Sequence, residues 1–191
     1  MDDVRDMARP QAIGDDLAGE PAGWVNRFGG KLVLVLLDNK YTPSVRGGRS
    51  LWALHDPLSY QPSNDTHVIT APKGCVTDLA SIPRPFWILL PPDGPWVKAA
   101  IIHDYLYATQ GTGQLPPGVP GSKQPKGITR PTPYTRSESD WILRDALRNR
   151  GVDVVRRNLI WAGVRIGGAR GWARNGAAKR QEAAEQGVSE G

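Results

Sequence analysis

Proline and glycine decide where this chain can be regular. Pro83, Pro85, Pro91, Pro92 and Pro95 crowd one stretch, and residues 111–133 hold five Gly and six Pro. Proline has no N–H and a fixed φ, so neither stretch suits a helix interior or a central strand. Residues 77–95 are therefore expected to be loop, with one short helix at Phe86–Leu90, and 111–133 a long irregular loop. Between them lies Trp96–Tyr107, which the spacing predicts as a helix. Trp96, Ala99, Ala100, His103 and Tyr107 share one face at spacings of three and four. Asp104 sits about 100° round from His103, so the two can border one pocket while pointing at different atoms.

Ahead of the prolines, Lys31–Leu37 (KLVLVLL) reads as a buried strand, followed by a turn at Asp38-Asn39. Ser50–Leu54 and His67–Thr70 read as two more. The connections are too short for helical crossovers, which predicts a small antiparallel sheet. Beyond the long loop, Thr135 and Glu138 have capping-box spacing, as do Ser137 and the shorter Asp140. They open a second helix with Trp141, Ile142, Leu143, Ala146 and Leu147 on its apolar face and Gly151 as its stop. A third helix is expected over Val154–Ile166, partly burying Val155, Leu159, Trp161, Ala162 and Ile166, and ended by Gly167-Gly168. The fold class is α+β: a small antiparallel β-rich N-terminal half, then a three-helix C-terminal half. Residues 1–23 read as a flexible acidic arm, 24–168 as a single domain and 169–191 as a flexible tail.

Length and composition bound the function. The chain has 191 residues and seven Trp, enough for one core. Its one cysteine, Cys75, rules out an internal disulfide and multi-cysteine zinc sites. There is no apolar run near 18 residues and no Sec-type leader at the N-terminus, so neither a transmembrane helix nor a signal peptide is expected. Net charge is +5, but residues 1–22 hold six acids and two arginines, which leaves about +9 on the body. Arg144, Arg148, Arg150, Arg156, Arg157, Arg165, Arg170 and Arg174 make either a solvated face or a phosphate- or protein-binding one. No nucleic-acid motif accompanies them, so nucleic acid is not expected as a partner.

Three groups carry candidate chemistry. A neutral histidine takes a proton from water near pH 7, best when a carboxylate orients its other nitrogen. His103 is the candidate base. Asp140 approaches it if the two helices pack as an antiparallel hairpin. Asp104, with Asp78, is the candidate ligand set for a hard cation, Ca²⁺ in the first instance. Zn²⁺ remains open through His plus two carboxylates, and no organic cofactor is implied. The structural alternatives are a satisfied core histidine at 103, Asp104 paired with a backbone N–H, Asp140 as a helix cap and Asp78 as a turn cap. Tyr105 and Tyr107 read as packing residues.

The elements PKGCVTDLASIPRPFW, KAAIIHDYLY, SESDWILRDALRNRGV and VRIGGARGW, in this order, resemble a family of uncharacterised proteins of tailed bacteriophages and prophages, known only as a domain of unknown function. The resemblance spans roughly residues 68–172 and implies a phage origin, not an activity. More loosely, KAAIIHDYLY followed by PYTRSESDWIL is similar to the His-Asp helix and the following Asp-bearing helix of phospholipases A2, especially the viral-capsid kind. That likeness implies His103 as general base, Asp104 as a calcium ligand, Asp140 as the residue orienting His103, and Tyr134 in a Pro-Tyr element. The chain departs from that family in having no glycine-rich calcium loop before the His-Asp helix, for which Gly74 and the TDLAS turn are a poor substitute.

The expectation is a phage-encoded protein, carried in the virion or acting in the host cytoplasm, with a metal-assisted His-Asp hydrolase site for a cell-envelope component, lipid or peptidoglycan. The opposing class is a non-enzymatic virion or tail-assembly protein that contacts other virion or tail proteins. A host-interaction protein is the third option.

Overall fold

The computed structural model describes residues 27–37, 51–77 and 94–189, with side chains described as far as residue 176. The turn at Asp38-Asn39, the short helix at Phe86–Leu90 and Asp78 lie outside the described residues. The architecture is α+β. Six strands form two small antiparallel sheets in the N-terminal half, and three helices follow.

The first sheet has the order β1-β4-β5, from Phe28–Gly29, Leu58–Tyr60 and Ile69–Ala71. The second has the order β2-β3-β6, from Leu34–Leu37, Leu51–Leu54 and Val76–Thr77. In the first sheet the period-2 rule is visible: Leu58 and Tyr60 are buried, as are Ile69 and Ala71, while Ser59 and Thr70 between them bond to each other through their hydroxyls at 2.9 Å. Leu58 pairs with Ala71 and Tyr60 with Ile69, so four apolar side chains share one face. The first expected strand begins later than read, at Leu34, because Lys31–Val33 lie outside the ladder. Strands β1, β4 and β6 were not expected. Each is two or three residues long, below the length at which alternation shows.

The long loop is tied to the sheet. Thr70 N donates to Gly127 O, Thr129 N to Val68 O, and Ile128 forms an isolated antiparallel bridge to Ile69. The loop backbone thus occupies the outer edge of β5.

Helix α1, Val97–Thr109, is buried on nearly every side: Ala99, Ala100, Ile101, Ile102, His103, Tyr105 and Leu106 are all inaccessible or nearly so. A helix apolar all round belongs in the middle of a fold. It packs on α2, α3 and strands of both sheets. Gln110 ends it in the left-handed region at φ 51°, with its N–H on the carbonyls of Leu106 and Tyr107.

Helix α2, Arg136–Asn149, opens with a full capping box. Thr135 Oγ1 accepts from Glu138 N, and Glu138 Oε2 accepts from Thr135 N at 2.7 Å. Asp140 is therefore not the cap. Trp141, expected on the apolar face, is 50% exposed and rests against Trp161, ring centroids 4.9 Å apart. The buried face is instead Ser139, Asp140, Ile142, Leu143, Ala146 and Leu147.

Helix α3 runs from Val154 to Ser189 and does not stop at Gly167-Gly168. Its buried residues, as far as side chains are described, are Ile160, Val164 and Gly176, while Val155, Leu159 and Ile166, expected to be partly buried, lie exposed. The inward line continues at spacing four to Gly168, where an added Cβ would collide with the Tyr107 hydroxyl. That glycine marks a close helix crossing, and the reading as a terminator mistook clearance for a break. Among the described residues no helix is long and apolar enough to cross a membrane.

Candidate functional site

Helices α1 and α2 pack so that His103 faces Asp140. His103 is 3% exposed and Asp140 is fully buried. His103 Nε2 lies 3.1 Å from Asp140 Oδ1. A carboxylate only accepts, so the network assigns the proton to Nε2, and Nδ1 of the neutral ring presents a lone pair. Nδ1 is buried and meets no hydrogen-bond partner among the described residues.

Asp140 has two further supports. Tyr107, one helical turn beyond His103, donates its hydroxyl to Oδ1 at 2.6 Å. Arg165 from α3 donates Nη1 to Oδ2 at 2.9 Å, and Arg136 stands 3.8 Å from the same oxygen. Burial pushes the Asp140 carboxyl up, but hydrogen bonds from His103, Tyr107 and Arg165 outweigh it and hold the group below the usual carboxylate range. An unpaired carboxylate here would be costly, and removing one partner of a buried pair costs about 3–5 kcal/mol. The Tyr107 phenol is driven upward by burial and by its bond to Asp140. Its ring stacks 4.2 Å from His103 and meets Trp172 edge-on at 5.0 Å.

Asp104 faces a different neighbourhood. Its Oδ2 accepts from Thr77 Oγ1 at 2.6 Å, across from strand β6. Cys75, nearby, has its thiol pushed up to about 12, by burial first and then by the Asp104 charge. Asp78 lies outside the described residues, so the structure places neither it nor a contact with Asp104. Among the described residues no three His, Cys, Asp or Glu side chains group to hold a metal ion.

Of the four residues singled out in the sequence, the structure brings His103 and Asp140 together and sets Asp104 apart from them. The reading missed Tyr107 and Arg165. The HxxxY spacing carried a signal for Tyr107. Nothing local signalled Arg165, which lies on another helix.

A second polar region lies elsewhere along α2. A cleft of about 330 Å³ opens between the 62–65 turn, Arg130, Tyr134, α2 and Arg157 of α3. His103, Asp104 and Asp140 do not line it.

Comparison with known proteins gives one match. No curated protein and no solved structure matches the chain. Residues 52–164 match the family described as a protein of unknown function, DUF1353. That span takes in His103, Asp104, Tyr107 and Asp140, and ends just before Arg165. The chain belongs to the DUF1353 family.

Proposed function

We propose that this is a bacteriophage-encoded, virion-associated protein whose His103–Asp140 pair activates water to hydrolyse a cell-envelope component, lipid or peptidoglycan. The observation that carries the reading is the asymmetry of His103. Nε2 is held by a buried, ionised carboxylate, and Nδ1 has no partner among the described residues. That is the hydrogen-bonding arrangement of a general base; Nδ1 is shielded from solvent, so catalysis also requires an opening that admits water to it. Nδ1 takes the proton as water oxygen attacks an ester or amide carbonyl carbon, Asp140 stabilises the resulting imidazolium, and the imidazolium returns the proton to the leaving group. Tyr107 and Arg165 fix Asp140 so that its charge stays aimed at Nε2.

A cation at Asp104, Ca²⁺ or alternatively Zn²⁺, is the accompanying proposal. Among the described residues Asp104 supplies one carboxylate, already bonded by Thr77, which does not by itself make a cation site. Further donors would have to come from outside the described residues, Asp78 among them, and no step is routed through the cation. The phage origin rests on the TDLASIP and HDYLY elements.

The test is hydrolysis of radiolabelled envelope lipid and of peptidoglycan fragments, with Ca²⁺ or Zn²⁺ added, by wild type and His103→Asn. Turnover by wild type that is lost in a folded His103→Asn variant supports the reading. Absence of turnover on either substrate, or equal turnover by the variant, refutes it.

One observation favours a second reading. His103 and Asp140 are buried and tied to Arg165 and Tyr107, as residues that merely hold three helices together would be. The protein is then a structural or assembly component of the virion or tail. His103→Asn would lower stability with no activity to lose, and the chain would be found in purified particles.

A further inference from the structure

The cleft lined by α2, Arg130, Tyr134 and Arg157 has an imbalance between donors and acceptors. Its three carboxylates are already engaged. Asp65 accepts from His67 on Oδ1 and from Tyr134 on Oδ2. Glu138 accepts from Arg130 on Oε1 and from Thr135 N on Oε2. Asp145 Oδ2 accepts from the Tyr60 hydroxyl and from Ser63 N.

The cations of the lining divide differently. Arg130 is held by Glu138, and Arg144 donates Nε to Asn158 while its guanidinium lies 5.1 Å from the Trp141 ring centroid. Arg148 and Arg157 remain. Neither guanidinium has a hydrogen bond or ion pair among the described residues, and Arg157 Nε is shielded from solvent with no partner. Buried donors in folded proteins are almost always matched, so an unmatched one on a residue that lines a cleft points to a missing acceptor. A guanidinium carries paired N–H groups that fit phosphate oxygens, and the charge of two such groups matches a phosphate dianion. Half-exposed Trp141 adds an aromatic surface beside them. The volume suits a small ligand.

We propose that this cleft binds a phosphate monoester, with Arg148 and Arg157 taking the phosphate and Trp141 taking the attached organic group. The site is separate from His103 and Asp140 and does not depend on their being catalytic. The phosphate has two sources, a free phosphorylated small molecule or an anionic lipid headgroup.

Calorimetric titration of the full chain with inorganic phosphate and with phenyl phosphate tests it. Both are expected to give saturable binding, with phenyl phosphate the tighter. Arg148→Gln and Arg157→Gln are each expected to weaken phenyl phosphate by about tenfold or more, the loss of a charge-assisted pair. Arg170→Gln, on exposed α3, is expected to change nothing. Arg148 is exposed, so its variant carries the test even if Arg157→Gln fails to fold. Sedimentation with phosphatidic acid vesicles, whose headgroup is a phosphate monoester, competed by phenyl phosphate, identifies a headgroup; phenyl phosphate binding without sedimentation identifies a soluble ligand. No saturable binding of either phosphate overturns the proposal. So does wild-type affinity in both variants, or an equal loss in Arg170→Gln, which would mean diffuse charge only.

Discussion

Tyr107→Phe removes one oxygen and little else. The phenol donates to Asp140 Oδ1 at 2.6 Å, and the ring is held by His103 on one face and by the edge of Trp172. The phenylalanine ring keeps those contacts, so the loss is that of a hydrogen bond to a buried charge, about 1.5–3 kcal/mol. For a chain of this size each kcal/mol moves the melting midpoint by about 2–4 °C, so a fall of about 3–12 °C is expected. The pH dependence sharpens the test. Asp140 is held below its unfolded value, so its ionisation contributes stability above that unfolded value, near pH 4. The contribution is lost as pH falls through the folded value. Without the Tyr107 hydroxyl the folded value moves up, and this contribution shrinks. The gap between wild type and variant should therefore be full at pH 7 and close only as pH falls through the two folded values, read by thermal unfolding under circular dichroism over a descending pH series. A gap under 1 °C at pH 7, or a variant whose Asp140 carboxyl titrates no higher than in wild type when followed by NMR, would refute the account of Asp140 as an ionised hub.

The two adjacent glycines of α3 should respond with opposite signs. Gly168→Ala places a methyl against the Tyr107 hydroxyl and should cost about 1–3 kcal/mol, and less in a Tyr107→Phe background, as a double-mutant cycle by urea unfolding would show. Gly167→Ala meets open space and should raise stability by up to about 1 kcal/mol, the helix-propensity gain; a loss would refute the continuous helix. Cys75, with its thiol pushed up to about 12, should resist iodoacetamide at pH 8 in the native protein and react on unfolding; prompt native labelling would mean the thiol is not buried.

Local rules reached far in some places. The prolines isolated α1, and the Thr135–Glu138 box marked the first turn of α2 to the residue. Both depend on neighbours within four positions. The antiparallel pairing also followed from connection lengths alone. What failed depended on distant partners. Gly167-Gly168 looks like a terminator until Tyr107 is known to lie across from it. Trp141 looks like core until Asp140, beside it, is drawn inward by His103, Tyr107 and Arg165. A buried aspartate at the centre of a helix face cannot be read from hydrophobic periodicity, because its burial comes from ligands supplied by two other helices. His103 and Asp140 were nonetheless paired from spacing, because a hairpin of two helices leaves few other registers.

The bonds from residues 127–129 to β5 have a consequence for association. A bare strand edge is a template on which another chain can build. Here the β5 edge of the β1-β4-β5 sheet is already occupied by the chain's own loop, whose glycine at 127 sits too close to Thr70 O for any side chain. A segment long enough to look dispensable in the sequence therefore acts as a guard against growth of the sheet. Shortening it until residues 127–129 can no longer reach β5 should first be noticed as aggregation, before any loss of the helical core.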